Sequence, residues 1–355
     1  MLEMNMFLLP VGEEDCGLSC LSGDGCAEVC GYFFVKYIGA PIFVSKKKER
    51  MKKVILFLCL LCCVIPPAKG IRPDRTYVRL PEHLGLIYKT LDVCTQDGYR
   101  IRTWFFPAQE APGADAGSDT LLAYRTLDEQ KRPTILICNG DAGNMSYYQL
   151  FLAGQFTSRG YNVATFDWRG FGASDPFPRD PDYLCYTEML EDYRAVIRQV
   201  SAQPEVLPGG IYLLGWSTGA YLSMIAAEGD PSVKGCILRG GPTSFEQVIP
   251  VLQQAVGKDS TQLLVPEDFP VGKMPLALAD TFDKDILIVV GQNDERTPVW
   301  MAEDIFAALP DGIEKELWVA PGAKHGGMEA PEVLYPEEFV RRTIRFVERS
   351  FQEVE

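Results

Sequence analysis

The middle of the chain reads Ile211-Tyr212-Leu213-Leu214-Gly215-Trp216-Ser217-Thr218-Gly219. The apolar run at its start predicts a buried strand, and the segment Ala220–Glu228 that follows has the composition of a helix. A serine between the two, with a glycine two residues before and after it, is typical of a nucleophile elbow. Such a serine lies at a helix N-terminus, where unpaired amides and the helix dipole favour an oxyanion. A serine in an ordinary turn gives the same local pattern, so support for a reactive hydroxyl has to come from the rest of the chain.

Short apolar runs and helical segments alternate along the chain from residue 84 onward. The expected strands are Leu86–Cys94, Tyr99–Phe106, Thr134–Cys138, Asn162–Phe166, Ile211–Leu214, Val233–Leu238, Ile286–Val290 and Glu316–Val319, and the expected helices are Tyr147–Thr157, Tyr186–Ser201, Ala220–Glu228, Val299–Ala308 and Tyr335–Phe351. Gln96-Asp97-Gly98 joins the first two strands as a hairpin turn. Alternation of this kind predicts an α/β fold, with a mostly parallel sheet, helices on both faces and an antiparallel N-terminal hairpin.

A serine nucleophile needs a base, and the chain contains 2 histidines. His83 precedes the first expected core strand, whereas His325 lies in a glycine-rich loop after the last one. Sites in open α/β sheets form at the carboxyl ends of strands, which favours His325. Asp294 follows the run Ile286–Val290 at another such end and is placed to orient the imidazole, with Glu295 as the runner-up acid.

Several segments match, in chain order, the motifs of one family. Asn139-Gly140-Asp141-Ala142-Gly143-Asn144 resembles a His-Gly-Asn-Ala-Gly-Asn loop, Asp167-Trp168-Arg169-Gly170-Phe171-Gly172-Ala173-Ser174 resembles Asp-Tyr-Arg-Gly-Tyr-Gly-x-Ser, and Gly291–Pro298 and Gly322–Gly327 match the acid and histidine loops. The order Ser217, Asp294, His325 is also the α/β-hydrolase order. Residues 85–350 therefore resemble an α/β-hydrolase, near the serine aminopeptidase-like and Bem46-like branch.

This resemblance implies an oxyanion hole formed by the backbone amides of Thr218 and Asp141. The chain departs from the family pattern at two positions, because Asn139 stands where histidine is usual and Asp141 where asparagine is usual. The Asp141 carboxylate would repel an oxyanion unless it points away or is paired. Ala142 is therefore the alternative donor.

Residues 243–282 interrupt the alternation between two expected strands and are expected to form a short helical cap over the cleft. They include the apolar side chains of Phe245, Val248, Ile249, Val251, Leu252, Leu263, Leu264, Val265 and Phe269. These side chains could line an acyl pocket or pack the cap onto the body, and the sequence leaves both alternatives open.

The composition, 47% hydrophobic and 23% charged over 355 residues, is that of a globular protein. A net charge of −14 without a dense Lys/Arg stripe in the folded part argues against a nucleic-acid partner. No P-loop or dinucleotide fingerprint occurs, and the expected chemistry needs no cofactor. Cys16, Cys20, Cys26 and Cys30 lack the tight pairs and long intervening loop of a structural zinc site, so no metal site is expected.

The N-terminal region has the three parts of a secretory signal. A basic cluster at Lys46–Lys53 precedes the apolar run Val54–Ile65. The small residues Ala68 and Gly70 then stand at positions minus three and minus one of a possible cut after Gly70. The run is shorter than the ~20 apolar residues that a spanning helix needs, so we expect no stable membrane span in the mature chain. We expect an over-extended start at residues 1–50, a signal peptide at 51–70, an exported protein and a mature domain at 71–355.

Together these features predict a serine hydrolase that cleaves a carboxylic ester or related acyl bond of a small-molecule substrate. The catalytic residues are Ser217, Asp294 and His325, and the reaction passes through an acyl-enzyme. A peptidase or amidase would use the same triad and differ only in the leaving group. A non-catalytic binding protein on this fold would typically lack a triad member, and none is missing here.

Overall fold

The computed structural model describes residues 70–110, 125–126, 130–255 and 263–351. Residues 1–50 with their cysteines, residues 51–69 of the expected signal peptide at 51–70, and the middle of the expected cap lie outside these ranges. The main sheet consists of β1 (Lys89–Cys94), β2 (Arg100–Phe106), β3 (Arg132–Cys138), β4 (Asn162–Phe166), β5 (Val206–Trp216), β6 (Val233–Arg239), β7 (Asp285–Gly291) and β8 (Lys315–Ala320).

The strands of this sheet lie in the order β1-β2-β4-β3-β5-β6-β7-β8. Strand β2 runs antiparallel to both β1 and β4, and all other neighbouring pairs are parallel. The mostly parallel sheet and the antiparallel N-terminal hairpin are thus confirmed. Because β3 to β8 run in one direction, the loops that follow them gather at one edge of the sheet.

Helices cover both faces of the sheet: α1 (Gln149–Thr157), α2 (Met189–Ser201), α3 (Thr218–Ala227), α4 (Phe245–Ala255), α5 (Val299–Ala308) and α6 (Pro336–Arg349). The alternation of side chains along β5 divides the core into two layers. Leu213 points to the layer that contains Leu222 of α3, and Tyr212 points to the layer that contains Phe346 of α6. Leu213 and Tyr212 are both buried, as expected for a central parallel strand.

Strand β5 is longer than the expected Ile211–Leu214. It begins at Val206 and passes through Pro208-Gly209-Gly210, residues that resemble a turn in the sequence. The register against β3 shifts between Arg132 and Thr134, and this irregularity accommodates the extra residues without ending the strand. The tertiary pairing of Val206 with Arg132 thus overrides local propensity.

The insertion 243–282 contains α4 and a short helix, Pro275–Leu278. Two of its aromatic residues, Phe245 and Phe269, pack edge-on against Tyr221 of α3 at ring-centroid distances of 5.4 and 6.0 Å. These two side chains are buried, so they attach the cap to the body. None of the helices in the described ranges has the length and apolar character needed to cross a bilayer.

Candidate active site

Ser217 lies at the tip of a strained turn between β5 and α3. Its φ is 53°, and among the described residues it is the only non-glycine residue with a positive φ. The positions that flank it, 215 and 219, have no room for a side chain and therefore require glycine. A Cβ on Gly215 would overlap the carbonyl of Gly219, and a Cβ on Gly219 would overlap the carbonyl oxygen of Asn139. The hydrogen bond from the Ser217 amide to the Arg239 carbonyl, 2.9 Å, ties the turn to β6.

The structure brings Ser217, His325 and Asp294 together from the carboxyl ends of three strands. His325 Nε2 lies 3.1 Å from Ser217 Oγ. His325 Nδ1 lies 3.0 and 2.9 Å from the two carboxylate oxygens of Asp294. The exposed fractions of His325 and Asp294 are only 3% and 6%, so water does not compete strongly for these hydrogen bonds.

The protonation pattern follows from the partners. A carboxylate can only accept, so Nδ1 carries the proton and Nε2 is left as the acceptor for the Ser217 hydroxyl. Burial opposes ionisation of Asp294, but hydrogen bonds from His325 and from the amides of Thr297 and Arg296 outweigh it and hold its pKa below the usual value. Asp294 is therefore an anion near neutral pH and stabilises a positive charge on His325.

The two weaker candidates lie elsewhere. His83 sits in an exposed turn, where its Nδ1 accepts the Leu80 amide at 3.1 Å. The Glu295 carboxylate lies 3.5 Å from the backbone nitrogen of His325 and makes no hydrogen bond to the ring. The structure thus places Asp294, and not Glu295, at the imidazole.

The loop after β3 lies against the elbow. The carbonyl of Asn139 touches Gly219, and Gly140 packs against the carbonyl and ring of Trp216. Thr218 begins α3, so its amide has no partner inside the helix. The expected oxyanion donors therefore belong to two segments in direct contact.

Several residues that sequence reasoning missed support the triad. Thr297 Oγ1 donates to Asp294 at 3.0 Å and lies 3.1 Å from His325 Nδ1. On the other side, Arg239 donates to the carbonyl of His325 and forms a buried two-point ion pair with Glu332, at 2.9 and 2.8 Å. These contacts hold both the acid and the histidine loop in place.

One signal could have pointed to Arg239. It directly follows the expected strand Val233–Leu238, and a charged residue at the end of a buried strand needs a buried partner. Its guanidinium also lies 4.4 Å from the centre of the Trp216 ring, which assigns that tryptophan a packing contact beside the nucleophile. The role of Glu332, by contrast, cannot be predicted from its neighbours in the sequence. Glu332 reaches Arg239 only because the fold brings the end of β6 close to it.

The contact between the elbow and the loop after β3 can be tested with Gly219→Ala. The new methyl group would push the Asn139 carbonyl away from α3, so any activity that uses both segments should fall by about 10²-fold or more. Gly312→Ala is the matched control, because a Cβ there meets no atom within 4 Å. Turnover by Gly219→Ala equal to that of Gly312→Ala would show that the contact is dispensable.

In the parts of the chain that the structure describes, no group of three or more His, Cys, Asp or Glu residues could hold a metal ion together. The four cysteines of these parts are unpaired; Cys138, Cys185 and Cys236 are buried, and Cys94 is exposed. Burial raises the pKa of Cys138 to about 12, so this thiol stays protonated near neutral pH.

The chain is similar in sequence to several known proteins. A family model described as serine aminopeptidase, S33, matches residues 129–267. The α/β-hydrolase domain-containing protein WAV2 of Arabidopsis thaliana is 22% identical over 278 residues, which cover 73% of this chain and 82% of WAV2. The uncharacterized protein YfhR of Escherichia coli K12 is 24% identical over 286 residues, 78% of this chain and 88% of YfhR.

Solved structures show the same fold. The esterase Pf2001 of Pyrococcus furiosus superposes with a TM-score of 0.60 at 18% identity, over 79% of this chain and 98% of the esterase. An acylaminoacyl peptidase superposes with a TM-score of 0.54 at 18% identity, over 76% of this chain and 43% of the peptidase. The strand order, the elbow and these similarities together show that the chain has the α/β-hydrolase fold.

Proposed function

We propose that this protein is a serine hydrolase that cleaves a carboxylic ester or a related acyl bond of a small molecule. The observation that carries the proposal is the continuous set of hydrogen bonds from Ser217 through His325 to Asp294. The similarity of its fold to those of an esterase and a peptidase is consistent with hydrolysis. Fold alone does not fix a function, so the proposal rests on the side chains.

The reaction proceeds in two halves. Ser217 Oγ attacks the acyl carbon while His325 Nε2 takes the hydroxyl proton, and the imidazolium formed is stabilised by Asp294. The amides of Thr218 and Asp141 donate to the oxyanion of the tetrahedral intermediate. His325 then returns the proton to the leaving group as the bond to it breaks. Water attacks the acyl-enzyme by the same sequence of proton transfers, releasing the acid and free Ser217.

A panel of substrates tests the proposal and separates the acyl classes. We expect p-nitrophenyl esters of graded chain length to be hydrolysed by the wild-type chain, with aminoacyl anilides turned over more slowly. Faster cleavage of the anilides would assign the same triad to a peptidase, as the name of the matching family suggests. No turnover of either class would favour a non-catalytic binding protein.

We also propose that the mature domain begins after Gly70 and is exported, on the strength of the basic, apolar and small-residue segments of residues 46–70. N-terminal sequencing of the protein from a cell fraction tests this. A chain that starts at Ile71 outside the cytoplasm is expected, and an intact Met1 on a retained chain would contradict it.

A further inference from the structure

A segment at residues 71–78, termed the N-terminal strap, crosses the loop that follows β3. The Arg72 amide donates to the Asp141 carbonyl at 2.6 Å, and the Asp74 amide donates to the Gly143 carbonyl at 2.9 Å. Arg72 and Pro73 also pair in parallel with Ala142 and Gly143. The strap therefore adds a short strand to the loop that carries the expected oxyanion donor.

The strap is itself held firmly. Ile71 is buried, and its amide donates to the Tyr183 carbonyl at 2.9 Å. At the other end, the Tyr77 hydroxyl donates to buried Asp167 at 2.7 Å. Asp167 accepts the Met145 amide at 2.7 Å with the same carboxylate. The strap and the loop after β3 therefore share an anchor beyond their direct hydrogen bonds.

The side chain of Arg72 meets the unusual residue of this loop. Its Nη2 lies 3.7 Å from Oδ2 of Asp141, and both side chains are about one-third exposed, at 33% and 30%. A partly exposed pair of this kind contributes at most about 1 kcal/mol to stability. We expect the pair to matter more for the electrostatic potential at the oxyanion hole than for stability. A charge acts over several ångströms when the site is partly desolvated.

The charge of Asp141 reaches the first turn of α3. Burial raises the pKa of Tyr221 well above its usual range, and the carboxylate of Asp141 is among the neighbours that raise it further. Tyr221 lies one helical turn after Ser217. An unopposed carboxylate at position 141 would thus also disfavour an oxyanion held at the start of this helix.

We propose that Arg72 is a positioning residue for the oxyanion hole: its backbone orders the loop that contains Asp141, and its guanidinium offsets the charge of the Asp141 carboxylate. This inference rests on the proposed serine hydrolase activity. It accounts for an aspartate in the loop, since the paired carboxylate no longer opposes an oxyanion bound by the amide of the same residue.

A double-mutant cycle on Arg72→Gln and Asp141→Asn tests the electrostatic part, with kcat and KM measured on p-nitrophenyl butyrate. Arg72→Gln should lower kcat about tenfold with a smaller change in KM, because the unpaired carboxylate acts on the transition state. In the Asp141→Asn background the same substitution should change kcat less than about twofold. Arg79→Gln is the charge-matched control, since Arg79 lies over the ring of Phe151.

The possible outcomes separate the two proposals. An equal loss of kcat in both backgrounds would overturn the inference, because it would reduce Arg72 to a purely structural role. An unchanged kcat in Arg72→Gln would overturn it as well. In either case, Ser217-dependent turnover by the wild-type chain would leave the proposed function intact, whereas its absence would overturn both.

Discussion

Ser217→Ala is expected to lower kcat on p-nitrophenyl butyrate by on the order of 10⁴-fold or more, with KM nearly unchanged. In the proposed mechanism the substitution removes the oxygen that forms the acyl-enzyme, while the imidazole stays in place. Any residual rate would come from binding and from the oxyanion donors alone. Alanine carries the same Cβ as serine, so the strained turn with φ 53° is preserved and the melting temperature should change little.

Ser201→Ala provides the control for this loss. Its hydroxyl donates to the Arg198 carbonyl at the end of α2 and takes no part in the triad. This variant should retain wild-type kcat. A Ser217→Ala enzyme that keeps more than about a tenth of the wild-type rate would exclude covalent catalysis by this serine.

Asp294→Asn is expected to lower kcat by about 10⁴-fold through a change of tautomer. The amides of Arg296 and Thr297 donate to Oδ1 at 2.9 and 2.8 Å, so the oxygen of the new amide must occupy that position. Its NH₂ group then takes the Oδ2 position, 2.9 Å from His325 Nδ1. Nδ1 then faces this NH₂ group and, at 3.0 Å, an oxygen that already accepts two backbone amides. The tautomer with the proton on Nε2 is therefore favoured, and in it Nε2 can no longer accept the proton of Ser217.

Glu295→Gln tests the assignment of the acid against its neighbour in the chain. The Glu295 carboxylate lies 3.5 Å from the His325 backbone nitrogen, so this variant should lose less than about tenfold in kcat. The comparison is best made at several pH values on the same ester. A larger loss in Glu295→Gln than in Asp294→Asn would reverse the assignment.

Much of the fold and the triad could be predicted from local signals. The elbow can be recognised in the sequence because its geometry requires glycine at positions 215 and 219. A Cβ at Gly215 would meet the Gly219 carbonyl, and a Cβ at Gly219 would meet the carbonyl of Asn139 in the neighbouring loop. Asp294 and His325 are recognisable because both follow apolar strands, and parallel strands place their carboxyl ends at one edge. The chain order Ser217, Asp294, His325, which is also the α/β-hydrolase order, further supported the choice of these three residues.

What could not be predicted depends on contacts between distant segments. Thr297 has no signal of its own, and it gains a role only because it touches both Asp294 and His325. The pairing of Arg239 with Glu332 requires the end of β6 to meet a short helix near the C-terminus. The strap likewise carries no recognisable motif in the sequence. Its role becomes visible only because the fold places Arg72 beside Asp141.

The odd residue at position 141 shows how a local rule can fail. Sequence alone predicts that a carboxylate next to an oxyanion is harmful unless it points away or is paired. The structure supplies a partner from the strap, which lies far from Asp141 in the chain. The sequence therefore identifies the unfavourable carboxylate, whereas its partner Arg72 can be identified only in the folded structure.

The most direct measurement of the central claim is the site of reaction with a fluorophosphonate. Intact-mass and peptide mass spectrometry of the labelled wild-type chain should show one adduct, on the peptide that contains Ser217, and none in Ser217→Ala or in heat-denatured protein. An unlabelled wild-type chain, or equal labelling of wild type and Ser217→Ala, would contradict a nucleophilic role for Ser217.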